Sequence, residues 1–437
     1  MIRRLLCLAA VLAAGPAAGH AQTPLSLPDA VARAREHNLD ARAAALAEQE
    51  AAARMTAARA GYLPTVDLAE SWQRGNQPVF VFSSLLAQRQ FAAANFAIDA
   101  LNHPDAVGNL RIGLTAEQAL LAPATRAGVR SATLAREAAA ASREAVRRDL
   151  AVAVTREYGA VLAADAAVAA AKNAVATATT DRELAGARRD AGAATDADVL
   201  QLDVYLARMR EQHIRRAADV VLARARLNQT LGAPLDAEFV LEPLPLPDAA
   251  SSSSPVDDAA LASRPDLRLA GLRERQAEAA VAAARAAWLP TIHAQAVWEA
   301  NGDAFASRAS SWMVGAVARV NLFRGLGDRA RLAEARVAQS ARAVEREKAE
   351  VAARLEVRTA AAALDAARAA NAVGRAAVDQ AREGHRIIRD RYESGLADVA
   401  ALLSAADAVQ DAEARHAAAR VEVTIAAAVL THALGKE

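Results

Sequence analysis

Arg59-Ala60-Gly61-Tyr62-Leu63-Pro64-Thr65-Val66 and Arg285-Ala286-Ala287-Trp288-Leu289-Pro290-Thr291-Ile292 are two versions of one junction. In each, an Ala-rich helical pattern runs into aromatic-Leu-Pro-Thr and then switches to alternating residues. Proline disfavours the helical conformation in the residue before it, so Leu63 and Leu289 are predicted helix ends. Beyond them the side-chain period changes from about 3.6 to 2, which is helix becoming strand. Pro64 and Pro290 are 226 residues apart, and the same offset relates Asp40 to Asp266, Arg42 to Arg268 and Trp72 to Trp298. A constant offset over such a span means an internal duplication, with one supersecondary unit built twice. The repeats are placed at 22–256 and 257–437.

Each repeat predicts two strands. In the first repeat they fall at 65–74 and 108–120, in the second at 291–300 and 311–323. Val66, Leu68 and Trp72 alternate with Asp67, Ala69 and Ser71; Leu110, Ile112, Leu114 and Ala116 alternate with Arg111, Gly113, Thr115 and Glu117. The second repeat repeats the pattern with Ile292, Ala294, Ala296 and Trp298, then with Trp312, Val314, Ala316, Ala318 and Val320. Runs of about ten residues, apolar on one face and polar on the other, match membrane-barrel strands. A half-buried soluble sheet gives the same periodicity, but no second layer stands ready in the sequence to cover these strands. Tyr62, Trp72, Trp288, Trp298 and Trp312 are the candidate membrane-interface anchors, because aromatic girdles sit at strand ends. Four strands cannot close a barrel, and an open edge in lipid leaves backbone groups unpaired, so three chains would supply a barrel of about twelve.

The remainder reads as helix. Ser26 is a candidate N-cap for a helix reaching Tyr62, with an interruption at Asn38-Leu39-Asp40. Long helical hairpins are predicted at 123–231 and 325–434. Val154, Val161, Val168 and Val175 recur at heptad spacing in the first. A helix of some 65 residues would be roughly 100 Å long, far more than a bilayer, and it carries charge throughout, so these helices belong in water. A Pro- and Ser-rich linker at 232–256 joins the repeats. The first repeat also has a long loop, Gly75 to Val107, whose apolar residues suggest that it packs over the mouth of the barrel; its counterpart, Asn301 to Ser310, is short.

Composition narrows the class. Hydrophobic residues make up 54% of the chain but aromatics only 3%, so the apolar content is mostly Ala, Leu and Val, suited to long, closely packed helices. A net charge of +1 argues against a nucleic-acid binder. Arg3 and Arg4, the apolar run Leu5 to Ala14 and Gly19-His20-Ala21 predict a signal peptide over 1–21. Cys7, the one cysteine, falls too early in that segment for a lipoprotein signal. The exported chain would then contain no thiol chemistry. No catalytic constellation, phosphate loop or metal-ligand spacing appears. His213 lies on an apolar helical stripe and reads as a packed side chain, so neither catalysis, metal nor cofactor is expected.

The hairpin tips are Arg188-Arg189-Asp190-Ala191-Gly192-Ala193-Ala194-Thr195-Asp196-Ala197-Asp198-Val199 and Arg391-Tyr392-Glu393-Ser394-Gly395-Leu396-Ala397-Asp398-Val399. Gly192 and Gly395 suit left-handed helix ends, and Thr195 or Asp196 can cap the next helix. With these tips, the two Leu-Pro-Thr junctions, Arg264-Pro265-Asp266-Leu267 and Asn321-Leu322-Phe323-Arg324-Gly325, the chain resembles the TolC family of outer-membrane efflux channels over nearly all of its length. The resemblance implies a mainly α chain with a small transmembrane β part: a homotrimer with a twelve-stranded barrel in outer-membrane lipid, continued by a helical tunnel through the periplasm. It implies no enzyme but a passive exit duct, whose tips meet a periplasmic adaptor and an inner-membrane pump. Arg188, Gly192, Tyr392 and Gly395 then fall at the adaptor-docking tips. Asp198 and Tyr392 match a tip pair that bonds and helps to close the pore. The positions of the family's arginine latch and acidic ring hold Ala397, Ala401 and Ser404, which leaves Asp398 as the candidate acid. A protein-secretion channel and a soluble coiled-coil adaptor or scaffold are the competing readings.

Overall fold

The computed structural model describes residues 23–245 and 264–435. The predicted signal peptide and the linker from 246 onward lie outside the described residues. The chain opens with β1 (Thr23–Leu25), α1 (Leu27–His37) and α2 (Leu39–Ala60). Next come β2 (Thr65–Gly75), α3 (Pro78–Ala87), α4 (Ile98–Asn102) and β3 (Val107–Leu121). The first hairpin is α5 (Pro123–Asp190) and α6 (Asp196–Leu231), followed by β4 (Phe239–Leu241). The second repeat supplies α7 (Pro265–Arg285), β5 (Thr291–Gly302), β6 (Ala309–Arg319), α8 (Gly327–Glu393) and α9 (Val399–Ala433).

The junctions that announce the duplication are tight turns. α2 ends at Ala60, and Tyr62 and Leu63 donate to Arg59 and Ala60 in short-range bonds. α7 ends at Arg285 and tightens into a 3₁₀ turn, Ala286–Trp288. The α-helices therefore stop a turn before Leu63 and Leu289, because the last turn narrows to three-residue bonding before the proline.

The four long strands form one antiparallel sheet in the order β2-β3-β5-β6. The repeats meet at the centre, where Leu114 pairs with Trp298 and Ala116 with Ala296. A single row, Leu68, Leu114, Trp298 and Trp312, crosses all four strands on the apolar face. The opposite face is polar, with Arg111 bonded to Glu299 at 2.8 Å. Strand β6 stops at Arg319, short of the predicted 323. Its last partner is Thr291; beyond it, Pro290 has no N–H to offer, and Asn321 instead bonds Asp328 at 2.7 Å.

The long loop of the first repeat contains two short helices, α3 and α4. Pro78 starts α3 at a position where a missing N–H costs nothing. Its C-cap residue Gln88 donates to the Gly108 carbonyl at 2.8 Å and to Asn109 Oδ1 at 3.0 Å, while Asn109 bonds Asn301 at 2.9 Å. Arg89 reaches the Ser310 carbonyl of β6 at 3.0 Å. Asn109 shares the polar face with Arg111, so the insertion folds over that face at the loop end of the sheet. Phe82, Phe91 and Phe96 stack edge to face within it.

Halfway along the helices a belt ties each repeat's opening segment to its own hairpin. Tyr158 of α5 is fully buried and its hydroxyl lies 2.8 Å from two carbonyls, Leu25 and Glu242, which share its one proton and hold the small parallel pair β1–β4 in place. Asn38 caps α2 and donates to the Thr230 carbonyl at the end of α6. Arg264 has the same place in the second repeat: it donates to the Ala433 carbonyl at the end of α9 at 2.7 Å and also binds Asp266 and Glu356. α5 contains a stretch apolar enough by composition to cross a membrane, yet Tyr158 and its backbone partners place it against the belt. Gly232 closes α6 in a left-handed conformation with φ of 67°, and a Cβ there would meet the His37 carbonyl oxygen at 2.3 Å. Gly232→Ala is therefore expected to cost about 2 kcal/mol or more, seen as a lowered Tm by circular dichroism; an unchanged Tm would show that the α1–α2 corner yields freely.

Candidate functional site

The two hairpin tips are built alike. At the first, Ala193 N–H donates to Arg188 O at 2.7 Å and Gly192 N–H to Arg189 O at 2.9 Å; at the second, Leu396 donates to Arg391 O at 2.8 Å and Gly395 to Tyr392 O at 3.0 Å. This is the paired-bond helix ending that needs a left-handed residue, and Gly192 and Gly395 have φ of 73° and 75°. Both following helices are capped by side chains. Thr195 Oγ1 accepts from Asp198 N–H at 3.2 Å while the Asp198 carboxylate accepts from Thr195 N–H at 2.9 Å, a reciprocal box. Asp398 accepts from Ala401 N–H at 2.8 Å.

Within one chain, the residues assigned to the gate by resemblance make other contacts. The Asp198–Tyr392 hydrogen bond is not made within the chain: Asp198 is engaged in its own cap, and the Tyr392 hydroxyl has no hydrogen-bond partner. Bonds from the Thr195 backbone and hydroxyl hold the Asp198 carboxyl below its ordinary range. Its stabilising effect is present above the ordinary carboxylate range and is lost as pH falls through the lowered value. Burial, with the nearby Asp198 charge, pushes the Tyr392 hydroxyl up, so it stays protonated.

What joins the tips is Arg188. Its guanidinium donates to the Tyr392 and Glu393 carbonyls of the second hairpin and to Ala193 O of its own turn at 3.1 Å. It also lies 5.0 Å from the Tyr392 ring centroid, a cation–π distance. Beneath it Tyr392 packs with Ala185, Val199, Leu202, Val399 and Leu402 in an apolar cluster shared by both hairpins. Higher up, a groove of about 450 Å³ runs between α6 and α9, with Leu200, Val204 and Leu403 in its floor and an Arg208–Asp407 ion pair of 2.7 Å across it. Leu200 and Val204 remain 63% and 70% exposed.

The aromatic anchors fall in two places. Tyr62 and Trp288 occupy the helix-to-strand turns, half exposed; the Tyr62 carbonyl accepts from Gln118 at 2.8 Å. Trp72, Trp298 and Trp312 share the apolar face of the sheet. Trp298 and Trp312 are directly paired, whereas Trp72 pairs with Leu110, farther along the strands. Among the described residues no cluster of His, Cys, Asp and Glu could hold a metal ion.

The sequence profile of the outer membrane efflux protein family matches residues 30–233 and 257–436, most of the chain. The chain belongs to this family. Its members are channels rather than enzymes. Solved structures share the fold at low identity. A membrane protein from Pseudomonas aeruginosa is 24% identical with a TM-score of 0.82, over 94% of this chain and 92% of that one. The Campylobacter jejuni CmeC outer membrane channel is 18% identical with a TM-score of 0.80, over 94% and 85%. The open-state Neisseria gonorrhoeae MtrE outer membrane channel is 22% identical with a TM-score of 0.76, over 94% and 89%. No curated protein matches the chain by sequence.

Arg188→Ala removes charge-assisted bonds to backbone carbonyls, worth about 1.5–3 kcal/mol when well formed and less at this exposed site. Amide exchange over residues 388–402 should accelerate by about tenfold, with Arg188→Lys intermediate because an ammonium lacks the fork. Thr195→Ala should cost about 1 kcal/mol through loss of the cap, read as earlier fraying of α6 in the same experiment.

Proposed function

We propose that this outer membrane efflux channel is a homotrimer in which β6 of one chain pairs with β2 of the next to close a barrel of twelve strands. The observation that carries this is the open sheet. Among the described residues, its edge strands β2 and β6 each have a partner on one side only, while Leu68 and Trp312 on its apolar face are 73% and 77% exposed. An unpaired strand edge is not tolerated in hydrocarbon, where each orphaned backbone group costs several kcal/mol. In water the same apolar row would be a large sticky patch. A closed barrel in the outer membrane answers both problems, which disfavours a soluble scaffold.

The polar face then lines the lumen and the helical hairpins continue it as a passive duct with most of its mass in the periplasm. Tyr62 and Trp288 mark the periplasmic interface, and Trp72, Trp298 and Trp312 face lipid above it. The insertion that covers the polar face becomes a lid over the outer mouth. At the other end the tips dock a periplasmic adaptor, through the Arg188, Gly192, Tyr392 and Gly395 turns and the Leu200–Val204–Leu403 groove, and an inner-membrane pump supplies the energy. The tip is the gate, with Arg188 and Tyr392 as its clasp and Asp198 and Asp398 as the caps that keep the two turns rigid.

The purified protein should run as a trimer from the membrane fraction and give stepwise ion conductance in planar bilayers. A protein that stays monomeric and soluble without detergent overturns the reading. Removing residues 78–104, so that β2 and β3 join by a short turn, should leave the trimer intact and raise single-channel conductance; unchanged conductance would show that the insertion does not obstruct the mouth.

A further inference from the structure

At the loop end of the sheet the chain places a segment with almost no charge. Residues 75–98 contain one ionisable side chain, Arg89. Helix α3 within it reads Pro78-Val79-Phe80-Val81-Phe82-Ser83-Ser84-Leu85-Leu86-Ala87 and is apolar around most of its circumference. A helix of that kind is normally covered on all sides. Here the sheet covers one side: Val81 and Ser84 are buried, and Gln88 donates to the backbone of β3. Phe82 and Leu85 turn sideways and line a cavity of about 390 Å³ with Phe91 and Leu101. The side opposite the sheet carries Val79 and Leu86, two turns apart, and they are 74% and 50% exposed. Farther along, Phe96 and Ile98 are 64% and 78% exposed.

The segment is tied down. Arg89, just past the end of α3, has a φ of 55°, a left-handed conformation that suits glycine and strains an arginine. Its guanidinium bonds the Ser310 carbonyl at 3.0 Å. Ser310 lies in β6, the edge strand that receives the next chain in a closed barrel. Twelve strands about 4.8 Å apart and tilted by about 40° close at a radius of about 12 Å. A helix with its side chains is about 10 Å across. Three copies of α3 standing over the polar face inside one rim therefore reach the axis and meet. No like charges keep their exposed sides apart, since the one arginine is committed to β6.

We propose that the exposed side of α3 docks on the same face of the other two copies, so that three insertions form one apolar plug, with Val79 and Leu86 of each chain in contact across the threefold axis. One chain alone leaves this face open, and the plug is complete only when the partner copies contribute to it. The proposal rests on the trimeric barrel and the lid read above, and it names what the lid closes against. An apolar constriction stops ions by dewetting, so the outer mouth would resist them without a charged residue at its centre.

The test uses the full chain, in which Cys7 of the predicted signal peptide is the one cysteine. Leu86→Cys trimers purified in detergent and treated with a short bismaleimide should give a dimer band on a denaturing gel approaching about two-thirds of the protein, because one site per chain can link two chains of three. Val79→Cys combined with Leu86→Cys should add covalently linked trimer. Leu86→Asp places three like charges at the axis; the trimer should persist, and single-channel conductance should rise by at least about half of the gain produced by removing residues 78–104. Leu86→Ala should raise it less. The crosslink decides where the Leu86→Asp variant does not assemble. Unlinked cysteines in a conducting trimer, as expected if the face turns to lipid or to a different protein, overturn the plug, as does wild-type conductance from Leu86→Asp when removal of 78–104 raises it. Failure to recover any trimer would instead sink the barrel reading and the plug with it.

Discussion

A sheet of four strands that exposes an apolar face and two unpaired edges cannot end where this chain ends. Backbone groups in hydrocarbon need partners from protein, and Thr65–Gly75 and Ala309–Arg319 have theirs on one side only. Everything below the sheet is consistent with preparing that closure. The two Leu-Pro-Thr turns each join a helix to a strand, and the belt at Tyr158, Asn38 and Arg264 ties the first segment of each repeat to that repeat's own long helices.

The duplication is maintained by different chemistry in each half. Asn38 and Arg264 occupy equivalent places and both donate to a carbonyl near the C-terminal end of a long helix, Thr230 in one case and Ala433 in the other. An amide suffices in the first repeat because it also caps α2. In the second, α7 has no side-chain cap, and the guanidinium is held by Asp266 and Glu356 instead. A buried charge needs that pairing. The tips show the same economy of geometry with unequal parts: both glycines are left-handed, but the clasp is one-sided, Arg188 from the first hairpin onto the backbone of the second.

Much of this is legible in the sequence where a local rule applies. Proline after an Ala-rich run, alternation after it, and glycine between heptad patterns placed the turns, the strands and the tips close to where they are. The rest depends on partners that composition does not name. Val320 continues the alternation of β6, but pairing stops because β5 offers nothing past Thr291. Arg188 falls at a tip by resemblance, but its clasp onto the second hairpin is not legible, since its targets are carbonyls that any residue carries. The reciprocal cap of Thr195 and Asp198 follows the local Thr-x-x-Asp spacing, but which group also faces Asp198 depends on the packing of another helix.

The insertion between β2 and β3 has no equivalent in the second repeat, whereas the tips have nearly identical turns. A ring of three chains would therefore change its rotational order along its length. Its outer rim would repeat three times, and its lower rim would repeat almost six times, with alternate seats differing in whether an arginine reaches out or a tyrosine receives it. Anything that grips the lower rim evenly must tolerate two kinds of seat, and anything that distinguishes them will bind in threes.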